Sequence, residues 1–262
     1  MWASLWRNRE LLQLMIRREV LGRYRGTYFG VLWSFIHPLL MLLVYTFVFS
    51  TVFKSRWPGG QESTGAFALI LFAGLLAFNL FSECIGSAPT LVVQHANYVK
   101  KVVFPLEILP VVRAGAALVH AGIALLVWLL VYMLFLGWPH ATVFLVPLVF
   151  LPLIGVVLGL SWFLSALGVY VRDLGQFVGL LVTALMFLSP VFYPVSALPE
   201  RFHFWMYLNP LTIVIEMLRA TLYWGDVSHV SVWLGMSFFS LLVAWLGFAW
   251  FQKTRQGFAD VL

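Results

Sequence analysis

The chain has 262 residues, 62% hydrophobic and 10% charged, with mean hydropathy +0.96 and a formal net charge of +6. A soluble domain carries about 25% charged residues, so this composition cannot cover a globule facing water and points to an integral membrane protein. The positive charge gathers at the edges of apolar runs, which removes nucleic acid as its default partner. The single Cys84 excludes an intrachain disulfide and a cysteine metal cluster.

Residues 4–25 read as an interfacial helix. Leu5, Leu12 and Ile16 share one face, Leu14 and Leu21 lie nearly opposite, and Arg17, Arg18, Arg23 and Arg25 suit an anionic leaflet. Met1 to Arg25 has no compact apolar core followed by a small-residue cleavage site, so the first span is expected to start insertion. That span is residues 31–53, which hold no Lys, Arg, Asp or Glu. At about 1.5 Å per residue it is long enough to cross a hydrocarbon core of roughly 30 Å.

A loop with turn chemistry, Lys54 to Glu62, leads to a second span at 65–85. Glu83 near its end is a functional candidate by depth, although its place by the interface suits an ordinary boundary acid. Residues 87–109 are too polar to span. Pro89, Pro105 and Pro110 bracket a short helix there, expected at 94–105. A third span at 114–136 has Arg113 at its mouth, and a fourth lies at 143–167. A compact polar insert, Gly168 to Gln176, precedes a fifth span at 177–195. Residues 199–225 hold Asn209-Pro210, Glu216 and Arg219, which suits short re-entrant helices packed in protein rather than a lipid-facing span. A sixth span at 232–251 and a short tail end the chain.

The expected fold is therefore all-α and polytopic: six transmembrane helices, an N-terminal interfacial helix and short re-entrant helices, in a single transmembrane domain. Six spans place twelve Lys and Arg on one side and four on the other, so both termini are expected in the cytoplasm. A seventh span through 202–223 would move Lys253 and Arg255 outside and is rejected.

No enzyme signature is present. There is no His-Glu-x-x-His, no Gly-x-Ser-x-Gly and no Gly-Lys pair for a phosphate-binding loop, so no catalytic residue is assigned. The six histidines are scattered, and no metal site is assigned. His37 follows Trp33 by one turn, and that pair is placed to line a path. The spans also lack the buried ionisable residues that a proton- or ion-coupled transporter needs, so the energy for any transport is expected from a partner. The two cytoplasmic inserts then become docking points for a soluble ATPase, through Lys100, Lys101, Arg172 and Asp173. Both also fit plain positive-inside loops. Aromatic rings crowd the outer end at Phe192, Tyr193, Phe202, Phe204, Trp205, Tyr207, Tyr223 and Trp224. Such rings stack on sugars, and they equally suit the headgroup layer.

The order of these parts resembles the membrane permease of bacterial ABC exporters for capsular polysaccharide and O-antigen, the KpsM and Wzm type of the ABC-2 class, with the capsular type nearer. The resemblance spans nearly the whole chain. It rests on Arg23-Tyr24-Arg25 before Gly30-Val31-Leu32-Trp33 and Pro38, and on Asn97 through Lys100 to Phe104-Pro105. It rests also on Tyr170-Val171-Arg172-Asp173, and on Ser189-Pro190 through Tyr193-Pro194 to Asn209-Pro210.

The resemblance implies a homodimer in the bacterial inner membrane with two nucleotide-binding subunits, which use ATP and Mg while this chain binds no cofactor. Residues 94–105 become a coupling helix, with Asn97, Tyr98, Lys100, Lys101, Phe104 and Pro105 facing the ATPase. Arg172 and Asp173 become a second contact, and 199–225 become periplasmic gate helices. The cargo would be a lipid-linked capsular polysaccharide, passing Arg23, Arg25, Tyr28, Trp33, His37, Tyr45, Phe192 and Tyr193. Membrane lipids, a periplasmic co-polymerase and an outer-membrane export protein are further expected partners. The alternatives are an ABC-2 permease for O-antigen, teichoic acid or a hydrophobic drug, and a membrane-embedded glycosyl- or acyltransferase.

Overall fold

A backbone inside hydrocarbon must satisfy its own hydrogen bonds, and long Leu-, Val- and Ala-rich runs do so as helices. The structure, a computed structural model, describes residues 6–48, 57, 64–100, 104–227 and 230–262. Among these residues there are helices and turns and no strand. In order they are α1 (Arg9–Tyr24), α2 (Trp33–Thr46), α3 (Thr64–Ser87), α4 (Leu91–Gln94), α5 (Ala96–Lys100) and α6 (Ile108–Leu136). Then come α7 (Val146–Tyr170), α8 (Leu174–Leu188), α9 (Glu200–Leu208), α10 (Pro210–Arg219), α11 (Val230–Thr254) and α12 (Phe258–Val261).

Among the described residues, four helical stretches are long and apolar enough to cross a membrane: Gly65–Gln94, Ile108–Leu136, Ala141–Tyr170 and Val230–Val261. Two shorter apolar helices, Trp33–Thr46 and Leu174–Leu188, accompany them. The chain is an all-α, multi-pass membrane protein.

Several boundaries differ from the sequence reading, each for a local reason. The first span is helical from Trp33 to Thr46 after a 3-10 turn at Gly30–Leu32, and the predicted end at 49–53 lies outside the described residues. The third span starts at Ile108, six positions early. Pro110 falls in its first turn, where a missing N–H breaks no helical bond. The polar insert at 168–176 shrinks to a corner at 171–173, because α7 continues to Tyr170 and α8 starts at Leu174. Only Arg172-Asp173 carries charge there. Gly168 and Val169 are buried, and a Cβ on Gly168 would collide with the Pro89 backbone.

The fifth span stops at Leu188. Ser189 precedes Pro190 and is extended (ψ 152°), as a residue before proline prefers. The predicted single helix at 94–105 is instead α4 and α5, separated at His95. The His95 backbone N–H closes a tight turn onto the Val92 carbonyl, and its ring Nδ1 lies 2.8 Å from the Leu91 carbonyl. The tail is not loose. α11 runs to Thr254, and Phe258 of α12 is fully buried.

Residues 199–225 form α9, α10 and a π-helical turn over Ala220–Trp224. Asn209 caps α10 by accepting from the Leu211 N–H at 3.0 Å, and Pro210 takes the first helical position. The Asn209 amide also donates to Ser189 Oγ at 2.9 Å, which ties this corner to the end of α8.

α3 is the axis. It is apolar through Leu76 and Ala77, as a helix enclosed by protein must be, turns polar at Asn79, Ser82 and Glu83 where it meets the cleft, and packs against α2, α6, α7, α8 and α10. Trp128 of α6 donates to the Leu69 carbonyl at 2.8 Å. Arg219 of α10 is fully buried beside it. Its guanidinium donates to the carbonyls of Ile70 at 3.1 Å, Pro190 at 2.6 Å and Val191 at 2.6 Å, and to Glu216 at 2.9 Å. The same group lies 4.2 Å from the centre of the Trp57 ring. Gly74 leaves room for it, since a Cβ there would come within 2.7 Å of Arg219 Nη2. On the far flank α7 and α11 meet through Gly159 and Gly247, where either Cβ would strike the facing backbone.

Replacing Arg219 by Met strands three carbonyls and one carboxylate. Each buried acceptor left without a partner costs about 1–3 kcal/mol. Detergent-solubilised Arg219→Met is therefore expected to melt many degrees below the native chain, as read by tryptophan fluorescence. An unchanged midpoint would remove Arg219 as the fastener.

Candidate functional site: a charged cleft and a coupling end

α1 ends at Arg25, and Gly26 (φ +82°) and Gly30 (φ +50°) turn the chain from the surface helix into α2. Both adopt a left-handed backbone that glycine tolerates without strain. The turn swings the end of α1 over the mouth of a cleft between α2, α3 and α6. That cleft holds about 560 Å³ and is lined by Arg23, Trp33, His37, Asn79, Glu83 and His120, among others. A shallower recess with Arg18, Arg25 and Gly30 adjoins it.

Its polar wall is a network that joins three helices. Arg23 donates to Glu83 Oε1 at 2.8 Å. His120 Nδ1 lies 3.0 Å from the same oxygen and 3.0 Å from Arg23 Nη1. Arg113 donates to Glu19 at 2.6 Å and to Ser87 Oγ at 3.0 Å, and its other nitrogen is 3.9 Å from Glu83. The Tyr24 ring meets His120 edge-on at 6.0 Å. Partial burial pushes the Tyr24 phenol above its ordinary pKa, which keeps it a neutral hydrogen-bonding group.

Trp33 adds a ring to the lining, and further rings lead from it back along the turn. Tyr28, Phe29 and Trp33 form an edge-to-face series with spacings of 5.4 and 5.6 Å, and Tyr28 is almost fully exposed. The cleft thus offers cations, hydrogen-bond donors and ring faces side by side. Among the described residues no three His, Cys, Asp or Glu gather as metal ligands would.

The structure brings Arg23, Trp33 and His37 together in the cleft, with Arg25 in the adjoining recess, while Tyr28 stands exposed outside both. Tyr45, Phe192 and Tyr193 lie elsewhere. Phe192 is buried between Tyr45 at 5.4 Å and Phe187 at 5.9 Å, so its ring serves packing within this chain. Tyr193 is half-buried and donates to the Phe187 carbonyl at 2.9 Å. Of the outer aromatics, Phe202, Phe204, Trp205 and Tyr207 are exposed, while Tyr223 is buried.

Sequence reasoning missed Glu19, Asn79 and His120, and undervalued Glu83. Asn79 and Glu83 are one turn apart on α3, but Glu19 and His120 are distant from them in the chain, and no motif joins the four. A weak signal was available for two of the network's residues, since Glu83 and Arg113 each interrupt an otherwise apolar helical pattern.

The coupling end is built separately. A second apolar cluster gathers Leu91, Val92, Leu109, Trp162, Phe251 and Phe258 beneath α4 and α5, with Tyr98 and Phe104 packed against it. Tyr98 stacks between His95 at 5.5 Å and Phe104 at 4.5 Å. Pro105 starts the turn into α6, its carbonyl accepting from the Ile108 N–H at 3.0 Å. Asn97, Arg172 and Asp173 are exposed. Lys100 closes α5, and Lys101 lies outside the described residues. Tyr170 donates to the Thr254 carbonyl at 3.0 Å, and Arg255 pairs with Glu107 at 3.1 Å, so the end of α11 is stitched to the same surface.

The fold is thus a multi-pass helical bundle with a charged cleft beside its N-terminal arm and a separate apolar cluster under α4 and α5. The ABC-2 type transporter family model matches residues 10–223, and the chain belongs to that family. It is 29% identical to the O-antigen export system permease protein RfbA of Myxococcus xanthus over 98% of this chain and 97% of that one. It is 26% identical to an O-antigen export system permease protein RfbA of Klebsiella pneumoniae over 97% and 95%. A capsule polysaccharide export inner-membrane protein CtrC of Neisseria meningitidis is 24% identical over 98% and 95%.

Arg113 makes one of the bonds between α1 and the bundle, and its pair with Glu19 is partly exposed. Such pairs are worth about 0.5–1 kcal/mol. Arg113→Gln is expected to raise hydrogen exchange in residues 9–24 about two- to fivefold while α3 stays protected. Equal protection of α1 in both proteins would show that apolar contacts alone hold it.

Proposed function

We propose that this chain is the channel-forming membrane subunit of an ATP-driven exporter that moves a lipid-linked surface polysaccharide out of the cytoplasm. One observation carries the reading: Arg23 and Trp33 share a single cleft beside the interfacial arm. A guanidinium suits the phosphate of a lipid carrier, and a ring face suits the C–H surface of a sugar. Membership in the ABC-2 family and relatives named for O-antigen and capsule export support it. The higher identity to the O-antigen permeases supports that type of cargo, where the sequence alone leaned to the capsular type.

In this reading the arm captures the anionic end of the lipid carrier at Arg23 and Arg25. Two copies enclose the glycan path, with Tyr28, His37, Tyr45 and Tyr193 offering weak, sequence-tolerant contacts along which a long polymer slides. Separate nucleotide-binding subunits dock on α4–α5 and on the corner at Arg172-Asp173. Closure driven by their ATP hydrolysis presses on the second apolar cluster and is passed along α6, α7 and α11. Both termini lie in the cytoplasm, and α9–α10 face the periplasm, where a co-polymerase and an outer-membrane export protein continue the route.

The test separates export from assembly. Trp33→Ala and Tyr193→Ala are each expected to lower surface polysaccharide about two- to tenfold, as for a ring contact of about 0.5–1.5 kcal/mol, with the complex still assembled. Normal export from both variants would take these rings out of the path. The paired reversal Arg172→Glu with Asp173→Lys is expected to keep ATP hydrolysis in the purified complex but abolish its link to export. Wild-type export would reduce that corner to a structural turn.

A further inference from the structure

The cation that the reading above assigns to substrate capture is already occupied. Arg23 is half exposed, yet its guanidinium is bonded at 2.8 Å to a carboxylate, Glu83, that is only 15% exposed. The groups facing that carboxylate are Arg23, His120 and Arg113, with Tyr24 beside His120 and with Glu19 engaged by Arg113.

His120 is the odd member. Its Nδ1 lies 3.0 Å from an Arg23 nitrogen, which only donates, and 3.0 Å from a Glu83 oxygen, which accepts. One ring nitrogen serves one of these at a time: it needs a lone pair for Arg23 and a proton for the carboxylate. Its Nε2 is buried without a hydrogen-bond partner. A move of the ring proton between nitrogens therefore lets His120 change from partner of Arg23 to partner of Glu83, with no other bond broken. The cleft beside this junction has room for a ligand, and Asn79, Ser82 and Trp33 line it.

We propose that Glu83 is a resident counter-ion that fills the anion site of Arg23 at rest. The external ligand is the phosphate or diphosphate group of a lipid carrier, which draws Arg23 away while His120 and Arg113 keep the carboxylate. This rests on the reading that Arg23 captures the anionic end of the cargo. A diphosphate carries more charge and more acceptor oxygens than one carboxylate, so it competes well for an exposed guanidinium. A lipid bearing no phosphate leaves the pair closed. The arm is thus held shut by the chain itself and opens to cargo of the right charge.

The test uses the full chain in phosphatidylcholine nanodiscs, with binding read by tryptophan fluorescence. The probes are a polyprenyl diphosphate and inorganic pyrophosphate. Glu83→Gln keeps the shape and hydrogen-bonding of the side chain but removes the competing charge, and is expected to bind the polyprenyl diphosphate about tenfold more tightly. Glu83→Asp keeps the charge on a shorter stem and should fall between the two, which guards against a folding defect in the first variant. Arg23→Gln should weaken binding about tenfold, and Arg23→Gln with Glu83→Gln should match Arg23→Gln alone. Affinity in Glu83→Gln equal to or below the native value, with Arg23→Gln still weak, overturns the counter-ion and leaves capture by Arg23 standing. Native affinity in Arg23→Gln overturns the capture reading itself. Pyrophosphate binding as tightly as the lipid would make the ligand a free anion and overturn the lipid assignment.

Discussion

The fold depends on a guanidinium placed where no water reaches. Arg219 satisfies its donors on backbone carbonyls of α3 and of the break after α8, and on its own helix neighbour Glu216. A charge buried this deeply is costly unless every bond is made, so the groups around it can adopt one arrangement only. Three things follow from that one side chain. The α8 helix must end before Pro190, because the Pro190 and Val191 carbonyls turn inward. α10 must lie against α3, and α3 must present Gly74 to make room. The helical corner at 189–210 is thereby a rigid part of the bundle.

Against this rigid frame the arm is held differently. α1 has no fully buried residue, and its polar fastenings to the bundle are Glu19 to Arg113 and Arg23 to Glu83. Partly exposed ion pairs are weak and exchange partners readily, while interlocked apolar helices do not. The molecule therefore divides into a fixed core and an arm whose position answers to charge. That division suits a subunit that admits a charged, lipid-bearing chain at one edge without loosening its span bundle.

The coupling end shows a second division. α4, α5, the corner at 171–173 and the end of α11 rest on their own apolar cluster, and Trp162 reaches the Glu107 carbonyl beneath them at 2.9 Å. α6, α7 and α11 all contribute to that cluster. The tight glycine contact brings the α7 and α11 backbones against each other.

Much was legible without coordinates. Composition alone announced a membrane protein, because 10% charge cannot clothe a soluble core of this apolarity. Uncharged apolar runs marked the spans, Asn209-Pro210 with Glu216 and Arg219 marked short helices packed in protein, and the order of short motifs pointed to the transporter family. These signals are local in the chain, and local chemistry decides them. The polar insert at 168–176 was misread because the helices on both sides run into it and its first residues, Gly168 and Val169, are buried, and a sequence window cannot tell an exposed corner from a helix end wrapped in protein.

What tertiary structure alone decided was partnership. Glu19, Glu83 and the Arg113–His120 pair lie on three helices far apart in sequence, and nothing in the spacing between those helices says that they fold into one junction. The same holds for Arg219, whose bonds reach back to α3 and to the end of α8, and for Phe192, an aromatic that looks like channel lining until packing buries it. Hydrophobicity and helix propensity act within a few turns of chain. Ion pairs and buried hydrogen bonds act between surfaces that meet only once the helices have packed.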